Sequence, residues 1–360
     1  MFVLRRKSRL LGLHRKDLLK DKVYIIFQNT QFMSKLSNEK FKLKNEYFDY
    51  LKDTALKVDP YVKYSISHFS DTDLEKVLIS RYRFGKPQLR PAQVRLSYEL
   101  FGGDNWEKII PACASVEVKD TGYYCLDEFF DKTPNKELAL LQGIFSSLSY
   151  SMIFDLADSF NYDQINQVLC ELTNLDLKNA KAAAIEKKLK QPNEKLYFKK
   201  VEGYNFWETP LRIGAILANA PQKDINLIGE SGKQIGMGYI IANDTWDFGK
   251  ELEDFRSGKY TLPIAHLFEN INADSKKKLS ELFGKPKLSK EEEDFIRLNC
   301  VHTGTIEYGK KLAQSYCDKG LELLNLLGGG KAKRLLQFAT TMTQKNAFYD
   351  SLKKFEIPEP

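Results

Sequence analysis

The chain has 360 residues, 42% of them hydrophobic, with 12 scattered prolines and 21 scattered glycines, so it can bury a large core and is not intrinsically disordered. The formal net charge of +7 comes from residues 1–44, and the near-neutral remainder gives no support to nucleic-acid binding. Five cysteines without CxxC spacing indicate reduced thiols in a cytoplasmic protein, not a disulfide framework or a zinc site.

The first predicted element is a basic, amphipathic leader in residues 1–19, MFVLRRKSRLLGLHRKDLL. Three interpretations stay open: an extension ahead of a second start at Met33, a membrane-surface or partner-binding arm, and an organelle transit peptide. The leader lacks the apolar region and the small-residue cleavage site of a secretory signal. We therefore expect a loosely ordered extension in residues 1–33 and one domain in residues 34–360.

Beyond the leader, one helix signal follows another, and alternating strand patterns are nearly absent. Thr72 and Glu75 fit a capping box at a helix start, and Ser289 and Glu292 fit another nearer the C-terminus. The longest uncharged run, Leu138–Phe154, has 17 residues. Because a membrane span needs about 20, we expect a buried helix there and no transmembrane segment. The chain is predicted to be all-α.

Two of these helices carry oxygen-bearing side chains on otherwise apolar faces. The residues at helical spacing are Asp127, Glu128 and Asp131 in the first helix and Asn243, Asp244 and Asp247 in the second. Residues three or four apart share one face of a helix, so each set presents its oxygens together. If the two faces meet, they repel each other unless cations lie between them. Hard oxygen ligands favour Mg²⁺, although a solvated helix face explains either set taken alone.

Five blocks of sequence, in order, resemble the trans-isoprenyl diphosphate synthases, the polyprenyl synthetase family. GKPQLRPAQVRLSYELFGG is similar to the family's helix that binds isopentenyl diphosphate, and ASVEVKDTGYYCLDEFFD ends in a form of its first aspartate-rich motif. LRIGAILANA resembles the helix before the second motif, and GKQIGMGYIIANDTWDFGKELEDFRSGKYTLPIAHL contains a form of that motif and of the GKxTLP that follows it. Residues 288–324 resemble the C-terminal helices, and the resemblance covers about residues 45–350.

The resemblance implies a single-domain, isoprenoid-synthase-type helical bundle around a central apolar cavity. It also implies that Mg²⁺ and basic side chains help diphosphate to leave an allylic substrate, and that isopentenyl diphosphate attacks the resulting cation. The implied metal ligands are Asp127, Glu128, Asp131, Asn243, Asp244 and Asp247. The implied catalytic residues are Asp127, Asp131, Asp244 and Lys259. The implied substrate-binding residues are Lys86, Arg90, Asp120, Lys132 and Thr261.

Product length and assembly follow from the same resemblance. In the family the growing tail runs down from the first motif, so side chains one helical turn from Asp127 form a floor. Here Gly122 leaves space and Tyr123 fills it, which predicts a short product, C15 to C20. The family forms dimers, so we expect a homodimer, with a heterodimer of this chain and another prenyl synthase subunit as the alternative.

Several positions depart from the family's pattern. Glu128 replaces the middle aspartate of the first motif, Asn243 replaces the first aspartate of the second, and no Arg-Arg pair follows the first motif. Asp120 stands where the family has His or Gln, and it would repel isopentenyl diphosphate unless a neighbour such as Lys119 neutralises it. The family's Lys-Thr pair aligns with Tyr204 and its neighbour. Two alternatives therefore stay open: a partly degenerate modifying subunit of a heteromeric synthase, and a class I terpene synthase on the same fold.

Overall fold

The structure is a computed structural model that describes the backbone of residues 15–131, 136–189, 192–250 and 252–344 and the side chains of 41–129, 136–189, 192–249 and 252–341. Within these ranges it consists of helices joined by short loops, with no strand, which confirms the all-α prediction. The α-helices are α1 Arg15–Phe69, α2 Thr72–Arg81, α3 Leu89–Leu100, α4 Ile110–Asp131, α5 Lys136–Phe154, α6 Tyr162–Lys188, α7 Glu194–Tyr204, α8 Glu208–Leu217, α9 Gln222–Lys250, α10 Glu253–Arg256, α11 Leu262–Asn270, α12 Ala273–Leu282, α13 Lys290–His302, α14 Thr305–Asn325 and α15 Lys331–Gln344.

The chain divides into two compact units, Met1–Phe48 and Asp49–Pro360. In the first unit, Lys44 Nζ lies 5.8 Å from the centroid of the Phe48 ring. Helix α1 runs through position 33, and the division into residues 1–33 and 34–360 stays a prediction. Every site residue discussed below belongs to the second unit.

Side-chain caps start several helices where the sequence indicates them. The capping box of Ser289 and Glu292 is confirmed, because each side chain bonds the other residue's backbone N–H at the start of α13. The capping box predicted for Thr72 and Glu75 is wrong by one residue. Asp71 is the N-cap of α2, and its carboxylate accepts hydrogen bonds from two backbone N–H groups, as an aspartate does well at this position.

Helices α9 and α14 pack closely along each other through glycines on both helices. A methyl group on Gly238 of α9 would lie 2.5 Å from Cys317 Sγ, and one on Gly320 of α14 would lie 2.6 Å from Ile235 Cγ1. Each residue turns a helix by about 100°, so Asp247 lies on the side of α9 opposite Gly238. The packing therefore leaves the acidic side of α9 available for a site.

Helix α5 is the apolar segment that the sequence predicts to be buried. It packs between α4 and α6, and seven of its residues, Phe145 and Met152 among them, are buried. By length and composition it is also the one helix of the described residues that could cross a membrane. A single helix of this kind is weak evidence for a membrane span, because core helices share both properties.

Candidate active site

The first acidic set lies at the C-terminal end of α4, beside two arginines. Asp127 is exposed and Glu128 is partly exposed. Both residues line a pocket of about 440 Å³ with Arg81 and Arg83, and Arg81 Nη1 donates to Glu128 Oε2 at 3.0 Å. Asp131 ends the helix, but its side chain and all of Lys132 lie outside the described residues.

Arg83 is a basic residue of this pocket that the sequence comparison missed. Its guanidinium carbon lies 4.1 Å from the centroid of the Tyr124 ring, on the same side of α4 as Glu128. Burial raises the pKa of Asp120 and of Glu117, and the positive charge of Arg83 opposes both rises. The only signal in the sequence was its place in SRYRF, directly before GKPQLRP. The family's motifs do not use that stretch.

The loop that carries Lys86 is tied to α1 by a buried carboxylate. Asp59, 3% exposed, accepts hydrogen bonds from the backbone N–H of Gly85 at 2.8 Å and from the Tyr82 hydroxyl at 3.2 Å. The Gln88 side-chain amide also donates to it. Gly85 has a φ of 69°, in the left-handed region that favours glycine. The exposed side chain of Lys86 therefore projects from a fixed turn.

Arg90 and Asp120 face each other inside this corner of the molecule. Arg90 Nε lies 3.9 Å from Asp120 Oδ1, and the guanidinium lies over the Phe206 ring at 5.2 Å. Arg90 Nε and Nη1 are buried without a hydrogen-bond partner among the described residues. The suggestion that Lys119 neutralises Asp120 is wrong, because Lys119 Nζ pairs with Asp176 at 2.9 Å. Arg90 supplies the opposing charge instead.

The second set lies on α9, and its members are already paired with neutral groups. Asn243 Nδ2 donates to Asp247 Oδ2 at 2.9 Å, and the Tyr197 hydroxyl donates to Asp244 Oδ2 at 2.7 Å. Burial raises the pKa of Asp244 to about 7, and the charges of Asp254 and Asp247 add to that rise. A nearby positive charge would therefore stabilise the ionised form of Asp244.

Lys200 is the second basic residue that the sequence comparison missed. It is buried on α7, and its charge opposes the rise in the pKa of Asp244. Its Nζ donates to Glu186 Oε1 at 3.2 Å. Tyr204, which aligns with the family's lysine, donates its hydroxyl to the same carboxylate at 2.7 Å. Lys200 lies one turn before Tyr204 on α7. It supplies a positive charge near Asp244, which the neutral Tyr204, at the position of the family's lysine, cannot supply.

A pocket of about 270 Å³ brings Lys200 together with the predicted Lys259 and with Glu186. Thr261 follows at the start of α11, where it is the N-cap. Its hydroxyl is buried and has no hydrogen-bond partner among the described residues. A buried hydroxyl without a partner is costly, so it is suited to a ligand that brings an acceptor.

The donor chemistry of the two acidic sets fits Mg²⁺. Among the described side chains, no group of three His, Cys, Asp or Glu residues is placed to hold an ion, and Asp131 falls outside that search. Mg²⁺ commonly takes one or two carboxylates and completes its shell with water and phosphate oxygens. Each set offers that number, and the half-buried carboxylate of Asp244 accepts a hydrogen bond from the neutral Tyr197 hydroxyl. The expectation that the two sets face each other stays a prediction.

The residues predicted to set product length have different surroundings. Tyr123 is 8% exposed, and its ring contacts the Phe206 ring edge to face, with centroids 5.8 Å apart. Gly122 does not leave space, and that part of the prediction is wrong. A methyl group there would lie 3.1 Å from Phe145 Cβ and 3.3 Å from the Gln142 carbonyl oxygen. Gly122 therefore allows α4 and α5 to approach each other closely.

Comparison with known proteins agrees with this arrangement. A sequence model of the polyprenyl synthetase family matches residues 79–298. The chain is 25% identical over 317 residues to a geranylgeranyl diphosphate synthase of Methanosarcina mazei, covering 80% of this chain and 94% of that protein. It is 23% identical over 334 residues to a geranylgeranyl diphosphate synthase of Sulfolobus acidocaldarius, covering 83% and 99%.

Its fold is also that of solved polyprenyl synthases. The crystal structure of a polyprenyl synthase from Roseobacter denitrificans matches with a TM-score of 0.73 and 19% identity, covering 85% of this chain and 99% of that one. At this identity the likeness concerns the fold alone, whereas the family match spans more than half of the sequence. Acidic helices beside basic pockets, the family's fold and its sequence pattern thus agree, and the chain belongs to the polyprenyl synthetase family.

Proposed function

We propose that the protein is a Mg²⁺-dependent prenyltransferase that condenses isopentenyl diphosphate with an allylic diphosphate. The observation that carries the proposal is the pairing of each acidic set with its own basic side chains. Arg81 and Arg83 lie beside the set on α4, and Lys200 lies near Asp244 on α9. Carboxylates that bind cations and cations that bind phosphate oxygens are together what a diphosphate–metal complex requires.

On the allylic side, the metal ligands would be Asp127, Glu128, Asp131, Asn243, Asp244 and Asp247. When bound, Mg²⁺ takes up negative charge that develops on the departing diphosphate. Lys200 and Lys259 line one pocket, from which their ammonium groups stabilise the same charge. The free Thr261 hydroxyl donates to a diphosphate oxygen. Apolar faces of the helices exclude water, which would otherwise quench the allylic cation.

Isopentenyl diphosphate would bind on the other side, near the loop between α2 and α3. Lys86 and Arg90 come from the motif that resembles the family's isopentenyl site, and Lys132 would add a third charge. Arg83 supplies a guanidinium on the side of α4 where the family's Arg-Arg pair is missing. Arginine forms strong, often bidentate bonds with phosphate, so Arg83 offsets part of that loss.

The product would be short, C15 to C20, because Tyr123 fills the space one turn from Asp127. The relatives named above are geranylgeranyl diphosphate synthases, which supports a C20 product. The active form would be a homodimer in the cytoplasm.

A second candidate is a modifying subunit that pairs with another prenyl synthase. The observation that favours it is the contact of Arg90 with Asp120. The carboxylate of Asp120 lies beside the Arg90 guanidinium, which would otherwise bind isopentenyl diphosphate. In this case the chain alone would turn over slowly and would form a heterodimer.

One assay separates these functions. Radiolabelled isopentenyl diphosphate is incubated with Mg²⁺ and with dimethylallyl, geranyl or farnesyl diphosphate, and the dephosphorylated products are analysed. We expect products of C15 to C20 from the wild type and no turnover from Asp127→Ala or Asp244→Ala, whose helical content should be unchanged. Asp163→Ala, at an exposed position in the first turn of α6, is the matched control and should retain activity. Full activity in Asp127→Ala or Asp244→Ala would contradict the metal-ligand assignment.

A further inference from the structure

The carboxylate of Asp176 on α6 joins three helices through four donors. Its Oδ1 accepts from the Tyr123 hydroxyl at 2.5 Å. Its Oδ2 accepts from Lys119 Nζ at 2.9 Å, from the Tyr150 hydroxyl at 2.7 Å and from the Ser146 hydroxyl at 3.3 Å. Lys119 and Tyr123 belong to α4, and Ser146 and Tyr150 belong to α5. We call these five residues the Asp176 cluster.

The Asp176 cluster is partly buried: the Asp176 side chain is 28% exposed, and the Tyr150 hydroxyl also reaches Thr173 Oγ1 at 3.4 Å. Lys119 is 1% exposed, and its Nζ lies 4.1 Å from the centroid of the Tyr150 ring. A carboxylate has about two acceptor positions on each oxygen, so the three donors at Oδ2 crowd that oxygen, whereas Tyr123 is the one donor to Oδ1 among the described residues. Burial raises the pKa of this carboxyl, but Lys119 and the two tyrosine hydroxyls outweigh it and hold the pKa below its usual range. Asp176 is therefore an ionised anchor for its donors.

Tyr123 is the member of this cluster that points along the predicted path of the substrate tail. It precedes Asp127 by four residues, so both side chains lie on one face of α4, one turn apart. Its ring is held between the Phe206 ring at 5.8 Å and the bond from its hydroxyl to Asp176. A tyrosine ring fixed at its hydroxyl end cannot swing aside without breaking a charge-assisted hydrogen bond.

We propose that Asp176 is a positioning residue for chain-length specificity: by holding the Tyr123 hydroxyl, it keeps the phenol ring across the tail cavity as a fixed floor. The inference rests on the proposed function. If the volume of the Tyr123 ring alone formed the floor, the Tyr123 hydroxyl and its acceptor Asp176 would have no effect on chain length. The hydrogen bond, and not only the ring volume, sets the longest tail that fits.

The test uses full-length protein and two variants that keep the side-chain volume: Tyr123→Phe removes the bond, and Asp176→Asn replaces its charged acceptor by a neutral amide. Calorimetry measures binding of unreactive allylic thiolodiphosphates of C10, C15, C20 and C25 in the presence of Mg²⁺. The same proteins are assayed for product length with isopentenyl diphosphate. Tyr123→Phe leaves Lys119 paired with Asp176, so this variant stays informative if Asp176→Asn does not fold.

We expect both variants to bind the C10 analogue as the wild type does and to accept tails at least one C5 unit longer. Products should lengthen by the same step, and the double variant should show no further shift. Asp155→Asn is the matched control. It neutralises the acceptor of a similar bond, from the Tyr61 hydroxyl at 2.5 Å, between two residues that do not belong to α4, and it should leave the limit unchanged.

Two other results are decisive. If Tyr123→Phe keeps the wild-type limit while Tyr123→Ala extends it, ring volume alone forms the floor and the role of Asp176 is overturned. If the binding limit shifts although the wild type makes no product from isopentenyl diphosphate, the inference stands and the proposed function fails.

Discussion

Arg90 and Asp120 show how one carboxylate can limit a diphosphate site. Because Asp120 lies 3.9 Å from Arg90, we expect Asp120→Gln to release the guanidinium for isopentenyl diphosphate. A hydrogen bond to a charged group contributes about 1.5–3 kcal/mol, so KM for isopentenyl diphosphate should fall roughly ten- to a hundredfold with kcat unchanged. Steady-state kinetics with the allylic substrate saturating measure this. An unchanged KM, equal to that of Asp120→Glu, would show that Arg90 does not meet the substrate.

Glu117, one turn from Asp120, makes stability depend on pH. Burial and the charge of Asp120 raise its pKa to about 8, although Arg90 and Arg83 oppose the rise and Asp59 adds to it. Between about pH 4.5 and 8 the folded protein keeps a proton that the unfolded chain has released. The free energy of unfolding should therefore fall as the pH rises through this window, by at most about 5 kcal/mol. Urea titrations at pH 5, 7 and 8.5 should show the fall.

Glu117→Gln tests the assignment, because an amide does not titrate. Its free energy of unfolding should lose that part of the pH dependence, and it should exceed that of the wild type at pH 8.5. An equal slope in both proteins would assign the effect to other groups.

The spacing of the acids along α4 and α9 was readable from the sequence, because helix geometry alone puts them on one face. The basic residues that lie beside these acids could not be predicted in the same way. Arg83 approaches the acids from the loop after α2 and Lys200 approaches from α7, and no local pattern encodes such contacts. Lys119 was assigned to Asp120 because they are adjacent in sequence. Adjacent residues on a helix point about 100° apart, so Lys119 reaches Asp176 instead.

At the scale of helices, Gly122 and Gly143 offer a matched pair on the helices that pack together. A methyl group on Gly122 would lie 3.1 Å from Phe145 Cβ, whereas one on Gly143 of α5 would meet nothing within 4 Å. Gly122→Ala should destabilise the protein by roughly 1–3 kcal/mol. Gly143→Ala should stabilise it by about 0.5–1 kcal/mol, since alanine is the better helix former.

Thermal and urea unfolding of both glycine variants measure these effects. Product length should not change in Gly122→Ala, because the glycine faces Phe145 and Gln142 of α5. A shortened product with normal stability would restore Gly122 to the floor of the cavity.

Helix starts were predictable where a side chain caps its own backbone, as at Ser289 and Glu292. At α2 two residues could cap, and the pattern favoured Thr72 over Asp71, although the carboxylate of Asp71 is the one that accepts. Close approaches between helices were not predictable. A glycine such as Gly122 or Gly238 has no side chain to show which neighbour it faces, and that is decided by packing over the whole domain.

For the whole molecule, the proposed site couples metal and diphosphate binding to the stability of the helical fold. Diphosphate alone would meet repulsive carboxylates as well as the basic side chains, and Mg²⁺ alone meets no set of three acids among the described residues. Together they should bind tightly. At a concentration 100 times Kd, a ligand that binds only the folded state stabilises it by about 2.7 kcal/mol. For a protein of this size, that raises Tm by roughly 3 to 4 °C.

Thermal unfolding with MgCl₂, with inorganic diphosphate and with both would measure this coupling. We expect the combined shift to exceed the sum of the separate shifts. Asp127→Ala and Asp244→Ala should lose the excess, while Asp163→Ala should keep it. The reason is that carboxylates can hold diphosphate only through a cation, whereas in the proposed site Arg83, Lys200 and Lys259 would hold it directly. A full shift with diphosphate alone would mean that the basic side chains suffice and that the acids on α4 and α9 are not metal ligands.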